Sequence, residues 1–159
     1  MEIIAYLENY INIMIIKRLL VTIIISTLFT SISFAQKKIL KNTKSITEQA
    51  ENVMSALDKL DFEVAFSELK KNWHLPENEL DQLESLTIKQ FNSVSDRFGK
   101  TKGYEFITDL KINDFLLRKV YILKFERHMI RVLFTYYNSG EGWIINSFKW
   151  DDTIDTLLK

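Results

Sequence analysis

The stretch His128-Met129-Ile130-Arg131-Val132-Leu133-Phe134-Thr135-Tyr136-Tyr137 decides the fold. Ile130, Val132, Phe134 and Tyr136 fall on one parity, and Met129, Arg131, Leu133, Thr135 and Tyr137 on the other. β-branched and aromatic residues at period two fit a pleated strand and do not fit a helical stripe. The first parity is wholly apolar and predicts a face turned toward a core.

Working outward, the same period appears on both sides. Residues 116–126 bring Val120, Tyr121, Ile122, Leu123 and Phe125. Upstream, Tyr104, Phe106, Thr108, Leu110 and Ile112 alternate with Glu105, Ile107, Asp109 and Lys111. Downstream, Trp143 to Trp150 closes the set. The links at Asn113-Asp114, Glu126-Arg127 and 138–142 are of hairpin length, so the four strands are expected to pair antiparallel in chain order. Asp151 or Asp152 is expected to cap a last helical turn through Ile154, Leu157 and Leu158.

Before residue 100 the period is helical. Ser45-Ile46-Thr47-Glu48 has the capping-box pattern, and Ile46, Ala50, Val53, Met54, Leu57 and Leu60 follow on one face. Asp61 can cap a second helix with the stripe Phe62, Ala65, Phe66, Leu69 and Trp73. Pro76 suits the first turn of a third, with Leu80, Leu83, Thr87, Phe91, Val94 and Phe98 as its buried face and Gly99 ending it. The prediction is an α+β domain over residues 45–159, with three N-terminal helices packed on a bent four-stranded antiparallel sheet.

The N-terminal part reads as an address. Met14-Ile15-Ile16-Lys17-Arg18 supplies a basic start, Leu19 to Ile32 an apolar run, and Ser33-Phe34-Ala35 the small residues of a signal-peptidase site. Residues 14–35 are expected to be a secretory signal cut between Ala35 and Gln36, leaving a periplasmic or secreted product. Kept uncut, the run Leu19–Ala35 would instead be an anchor, although it falls short of the ~20 residues a spanning helix prefers. Residues 1–13 carry Glu2 and Glu8 where a basic segment belongs, so they are expected to be a non-native upstream extension. Residues 36–44, with Lys37, Lys38, Lys41 and Lys44, are expected to form a mobile basic lead-in.

Composition excludes several functions. Lys and Arg total 21, as do Asp and Glu, so no electrostatic case for a nucleic-acid partner exists. There is no cysteine, hence no lipid-anchor cysteine at position 36, no thiol nucleophile and no cysteine metal site. His74 and His128 are the two histidines, and neither has a second ligand at metal-binding spacing. A dyad of His128 with Asp109 or Asp114 is possible across the strands; the plainer expectation is a solvated turn histidine. No Gly-x-Ser-x-Gly elbow or phosphate loop occurs. No cofactor is implied, and no membrane contact remains after signal cleavage.

Three segments carry a resemblance: Ala50 to Leu69 with its Asp58-Lys59-Leu60-Asp61 joint, Arg97-Phe98-Gly99-Lys100 at the helix-to-sheet junction, and Gly142-Trp143-Ile144-Ile145-Asn146-Ser147-Phe148 as the closing strand. With the element order, they resemble the nuclear-transport-factor-2-like superfamily, a cystatin-like α+β cone, and specifically its small exported Bacteroidota members of unknown function, whose signals often end in the Phe-Ala-Gln found at 34–36. The resemblance implies that a ligand, where there is one, enters the cone, and that enzymes of the family place a carboxylate or histidine there, often with a tyrosine donor.

In this chain the pocket candidates are Tyr104, Phe106, Tyr121, Phe134, Tyr136 and Phe148, with Leu110, Ile130 and Val132 on the same expected face. The three tyrosines could donate, but Asp109 and Glu105 alternate away, so no acid is expected inside. Ile107, Val120, Ile122, Met129, Leu133 and Ile145 lie on the opposite parity, and apolar content there suggests a homodimer face. Two functions are expected: an exported, non-enzymatic binding or protein-interaction domain for a protein or small apolar ligand; or an isomerase- or dehydratase-like enzyme, or a carrier, using the cone.

Overall fold

A computed structural model of the chain describes residues 37–154, together with Met14 and Lys17. The signal reading therefore lies outside the described residues at all but two positions, as does the tail from residue 155 onward. Residues 1–36 and 37–159 form separate units. No helix among the described residues is long and apolar enough to cross a membrane.

The second unit runs α1 (Thr43–Asp58), α2 (Phe62–Lys70), α3 (Glu77–Phe98), β1 (Thr101–Ile112), β2 (Leu116–Phe125), β3 (Met129–Asn138) and β4 (Trp143–Asp151). The strands pair antiparallel in the order β1-β2-β3-β4, which is the expected meander. Residues 152–154 carry no regular structure, so the expected C-terminal turn does not begin there. Asp151 Oδ1 instead accepts from the Thr153 backbone N–H at 2.9 Å.

α1 starts three residues earlier than its capping box. Asn42 is the N-cap, and its Oδ1 accepts from the backbone N–H and the hydroxyl of Ser45, both at 2.9 Å. Asn caps as well as Ser, and capping at 42 adds most of a turn. Asp61 caps α2 by accepting from Val64 N–H, as expected. On α3 the buried stripe is narrower than expected. Leu80, Thr87, Phe91 and Phe98 are buried, while Leu83, at the stripe's margin, is 37% exposed.

All three helices pack on one sheet face. α1 lies over β1 and β2, Phe66 of α2 meets Phe148, and Phe91 of α3 meets Trp150 at 4.4 Å between ring centroids. The core is the α1 stripe of Ile46, Ala50, Val53, Met54 and Leu57 against Leu117, Tyr121, Leu123, Ile130, Val132, Phe134 and Tyr136. Parity places the helix-facing residues of β2 and β3 here as expected.

The lead-in is docked. Leu40 exchanges backbone hydrogen bonds with Trp143 at 2.9 and 2.8 Å and is buried; Lys37 Nζ donates to Trp73 O. Ile39 and Leu40 give the otherwise basic segment an apolar pair to bury, which outweighs its four lysines. Gly142 (φ 143°) admits this strap: a Cβ there would sit 2.5 Å from Ile39 Cγ2 and 2.9 Å from Leu40 O.

Candidate functional site

Two bulges decide what faces the helices. In β1, Phe106 pairs with Tyr121 and Thr108 with Val120, leaving Ile107 as the extra residue. The face flips at that point. Tyr104 and Phe106 stay on the inner face, but Leu110, opposite Arg118, moves to the outer face. Asp109, opposite Lys119, moves inside. The expectation of no acid on the inner face is thus corrected. In β4, Thr135 pairs with Ser147 and Tyr136 with Ile145, which makes Asn146 the extra residue. Ile145 therefore leaves the expected dimer face and joins the core at 2% exposure.

The inner face carries a polar cluster that strand parity could not show. Lys119 Nζ lies 3.0 and 3.2 Å from the two oxygens of Asp109 and 4.9 Å from the Phe106 ring centre. Its side chain is 4% exposed. At the margin of the core stripe, next to Ala50, Glu51 of α1 accepts from Tyr121 OH on Oε1 and from Tyr104 OH on Oε2, both at 2.9 Å. Burial, aided by Glu51, pushes the Tyr104 phenol up to about 12 and the Tyr121 phenol further. Burial alone raises Tyr136, whose hydroxyl has no partner among the described residues.

Of the six pocket candidates, Tyr121, Phe134 and Tyr136 are fully buried and in mutual contact through ring edges or the shared core, and Phe148 packs on Phe66 and Phe134. Tyr104 is half-buried; Phe106 is 48% exposed on the edge strand. The aromatic candidates are brought together in and around the core between helices and sheet. Of the expected dimer face, Val120, Ile122 and Leu133 are on the outer side but buried, while Ile107 and Met129 are exposed.

The histidines stay apart from the acids. His74 is exposed in the α2–α3 link. His128 stacks on Phe98 at 4.2 Å, and its Nε2 has no partner, so no dyad with Asp109 forms. No group of three His, Asp or Glu able to hold a metal occurs among the described residues.

Open space lies at the surface. One cleft of about 500 Å³ runs between the strap and α1–α2, with Gln49, Asn72 and Glu68 among its walls. A small recess of about 150 Å³ sits between Leu60 and α3. Another, about 570 Å³, is at the β2–β3 hairpin: Lys102, Lys124, Arg127 and His128 line it with Phe125, Met129 and Ile154, and no acid is among the described residues of its wall. Glu105 holds Lys124 from outside at 2.5 Å, and Glu126 lies 3.9 Å from Lys102. The Arg127 guanidinium donates to the carbonyls of Asp96 and Arg97 at the C-terminus of α3, which fixes its place.

No protein-family model and no curated protein sequence matches this chain. Among solved structures it is similar to an NTF-2 like protein of unknown function from Shewanella oneidensis, at 13% identity and a TM-score of 0.44, over 69% of this chain and 98% of that one.

Proposed function

We propose that the chain is an exported, non-enzymatic binding domain of the nuclear-transport-factor-2-like kind, and that it takes a small anion with an apolar body in the hairpin cleft. The observation that carries the binding reading is the state of the inner carboxylates. Glu51 and Asp109 each have both oxygens engaged, by two phenols in one case and by Lys119 in the other. An isomerase- or dehydratase-like enzyme needs a base whose proton affinity is not spent on a paired cation or on phenol donors, in a space that admits substrate. Here Tyr121, Phe134 and Tyr136 are fully buried beneath these carboxylates.

The hairpin cleft is open to solvent, and its cations, although Lys124 and Lys102 also meet Glu105 and Glu126 at its rim, face apolar surface. Cations at Lys102, Lys124 and Arg127 meet the apolar surfaces of Phe125 and Met129. Such a wall suits a carboxylate or sulfonate carried on a ring or short chain. Export is supported by the basic pair Lys17-Arg18, the apolar run and Ser33-Phe34-Ala35; mass spectrometry of the exported product, starting at Gln36 if the reading holds and at an earlier residue if it fails, tests it.

Fluorescence titration with anilinonaphthalene sulfonate, an anionic aromatic probe, tests the ligand class. Neutral N-phenyl-naphthylamine is the comparison. Lys102→Glu/Lys124→Glu should weaken the anionic probe by about tenfold or more and leave the neutral one nearly unchanged. Equal affinity of the variant and the parent chain for the sulfonate would overturn the assignment.

A further inference from the structure

β1 is an edge strand of the sheet, and its second half is unusually apolar for an edge. Ile107, Leu110 and Ile112 are 42%, 53% and 55% exposed. Edge strands offer a row of backbone donors and acceptors, and proteins ordinarily blunt them with charge. Here the charges are arranged to match a copy of themselves.

We propose that β1 pairs antiparallel with β1 of a second copy, about a two-fold axis at Leu110. Antiparallel neighbours must place residues of the same face opposite one another, so a two-fold pairing is centred on a single residue. After the bulge, Thr108, Leu110 and Ile112 share the outer face, and Asp109 and Lys111 the inner. Centring on Asp109 sets Asp109 against itself, and centring on Lys111 sets Lys111 against itself. Both put like charges directly opposite. Centring on Leu110 sets Asp109 against the second copy's Lys111, twice, Leu110 against Leu110, and Thr108 against Ile112. Of these three registers it alone sets opposite charges across the seam, with Asp109 shared between Lys119 and the second copy's Lys111, while it seats Leu110 on Leu110. The bulge at Ile107 ends the matched segment, so the interface is short, below the size of stable dimers, and the association is weak and concentration-dependent.

The chain has no cysteine, which makes the register directly readable. In the full chain, Leu110→Cys would bring two thiols to neighbouring-strand distance, within disulfide reach. Ile112→Cys, equally exposed, would stand about 13 Å from its own copy. The expected result is rapid oxidative dimer formation for Leu110→Cys and little for Ile112→Cys. Sedimentation should show weak self-association that Lys111→Asp abolishes and Met129→Lys leaves intact. Equal cross-linking at 110 and 112, or association insensitive to Lys111→Asp, would overturn the proposal. Loss through Met129→Lys alone would move the interface to the outer sheet face. Lys111 lies outside the hairpin cleft, so loss of association in Lys111→Asp with anion binding intact separates the two sites; Met129 lines the cleft, and its variant is read for self-association alone.

Discussion

Lys119 is a buried cation paired with the carboxylate of Asp109, 3.0 Å away, and its underside rests on Phe106. The pair exists because a bulge turned Asp109 inward. Removing either member has unequal consequences. Asp109→Asn strands a charge with 4% exposure and should cost roughly 3 kcal/mol, whereas Lys119→Met leaves a part-exposed carboxylate able to hydrate and should stay within about 1 kcal/mol of the parent. Urea unfolding of both variants checks the asymmetry; equal losses would show that the pair is not buried in solution.

The buried phenols differ in the same way. Tyr121→Phe deletes a hydrogen bond to the Glu51 carboxylate and should cost about 1.5–3 kcal/mol. Tyr136→Phe removes a hydroxyl with no partner and should be neutral or stabilise by up to about 1 kcal/mol. Thermal unfolding of the two variants side by side gives the comparison, and a cost at Tyr136 matching that at Tyr121 would mean that its hydroxyl is satisfied.

Alkaline pH should weaken the domain through these groups. The Tyr104 phenol is raised from about 10 to about 12. A raised folded-state value contributes stability that is complete below the unfolded value and is lost as pH climbs through the folded one. Stability should therefore decline between about pH 10 and about pH 12, with less decline in Tyr104→Phe. Phenolate absorbance followed with circular dichroism reads both events, and phenolate formation at Tyr104 with no loss of stability would refute the coupling.

Two backbone positions give opposite predictions. Leu60 joins α1 to α2 at φ 56°, a left-handed conformation that costs an L-residue roughly 1–2 kcal/mol. The residue is 41% exposed, so Leu60→Gly should raise stability, by about 0.5 kcal/mol after the added chain entropy. Gly142→Ala forces a Cβ into Ile39 and Leu40 and should release the strap. Trypsin should then cut at Lys37, Lys38 or Lys41 faster than in the parent chain. Unchanged cleavage would mean the strap is not held by this approach.

Element order and helix faces were legible because they follow from periods: Ile46 to Leu57 at helical spacing, and Ile130 to Tyr136 at two. What escaped was whatever a single extra residue changes. The inserted Ile107 and Asn146 look like ordinary strand residues, yet each reverses the parity beyond it, and so Asp109, Leu110 and Ile145 were assigned to the wrong faces. A β-bulge is set by how the strand must bend over the helices, a tertiary demand with little local signature. Glu51 was missed for a related reason: its role depends on two tyrosines from other elements. Lys119, a charged residue within an apolar run, was the one available hint of an inward acid, since a buried lysine requires a partner. The docked strap was hidden by its lysines, although Ile39-Leu40 was there to be read.

Chemical-shift mapping of anilinonaphthalene sulfonate on the full chain tests the binding reading most directly. Perturbed amides are predicted to cluster at Lys102, Phe125, His128 and Met129, and to weaken with salt. Perturbation centred instead on Tyr104, Phe106 and Asp109, or none at the hairpin, would contradict it and return the inner face to consideration as the working site.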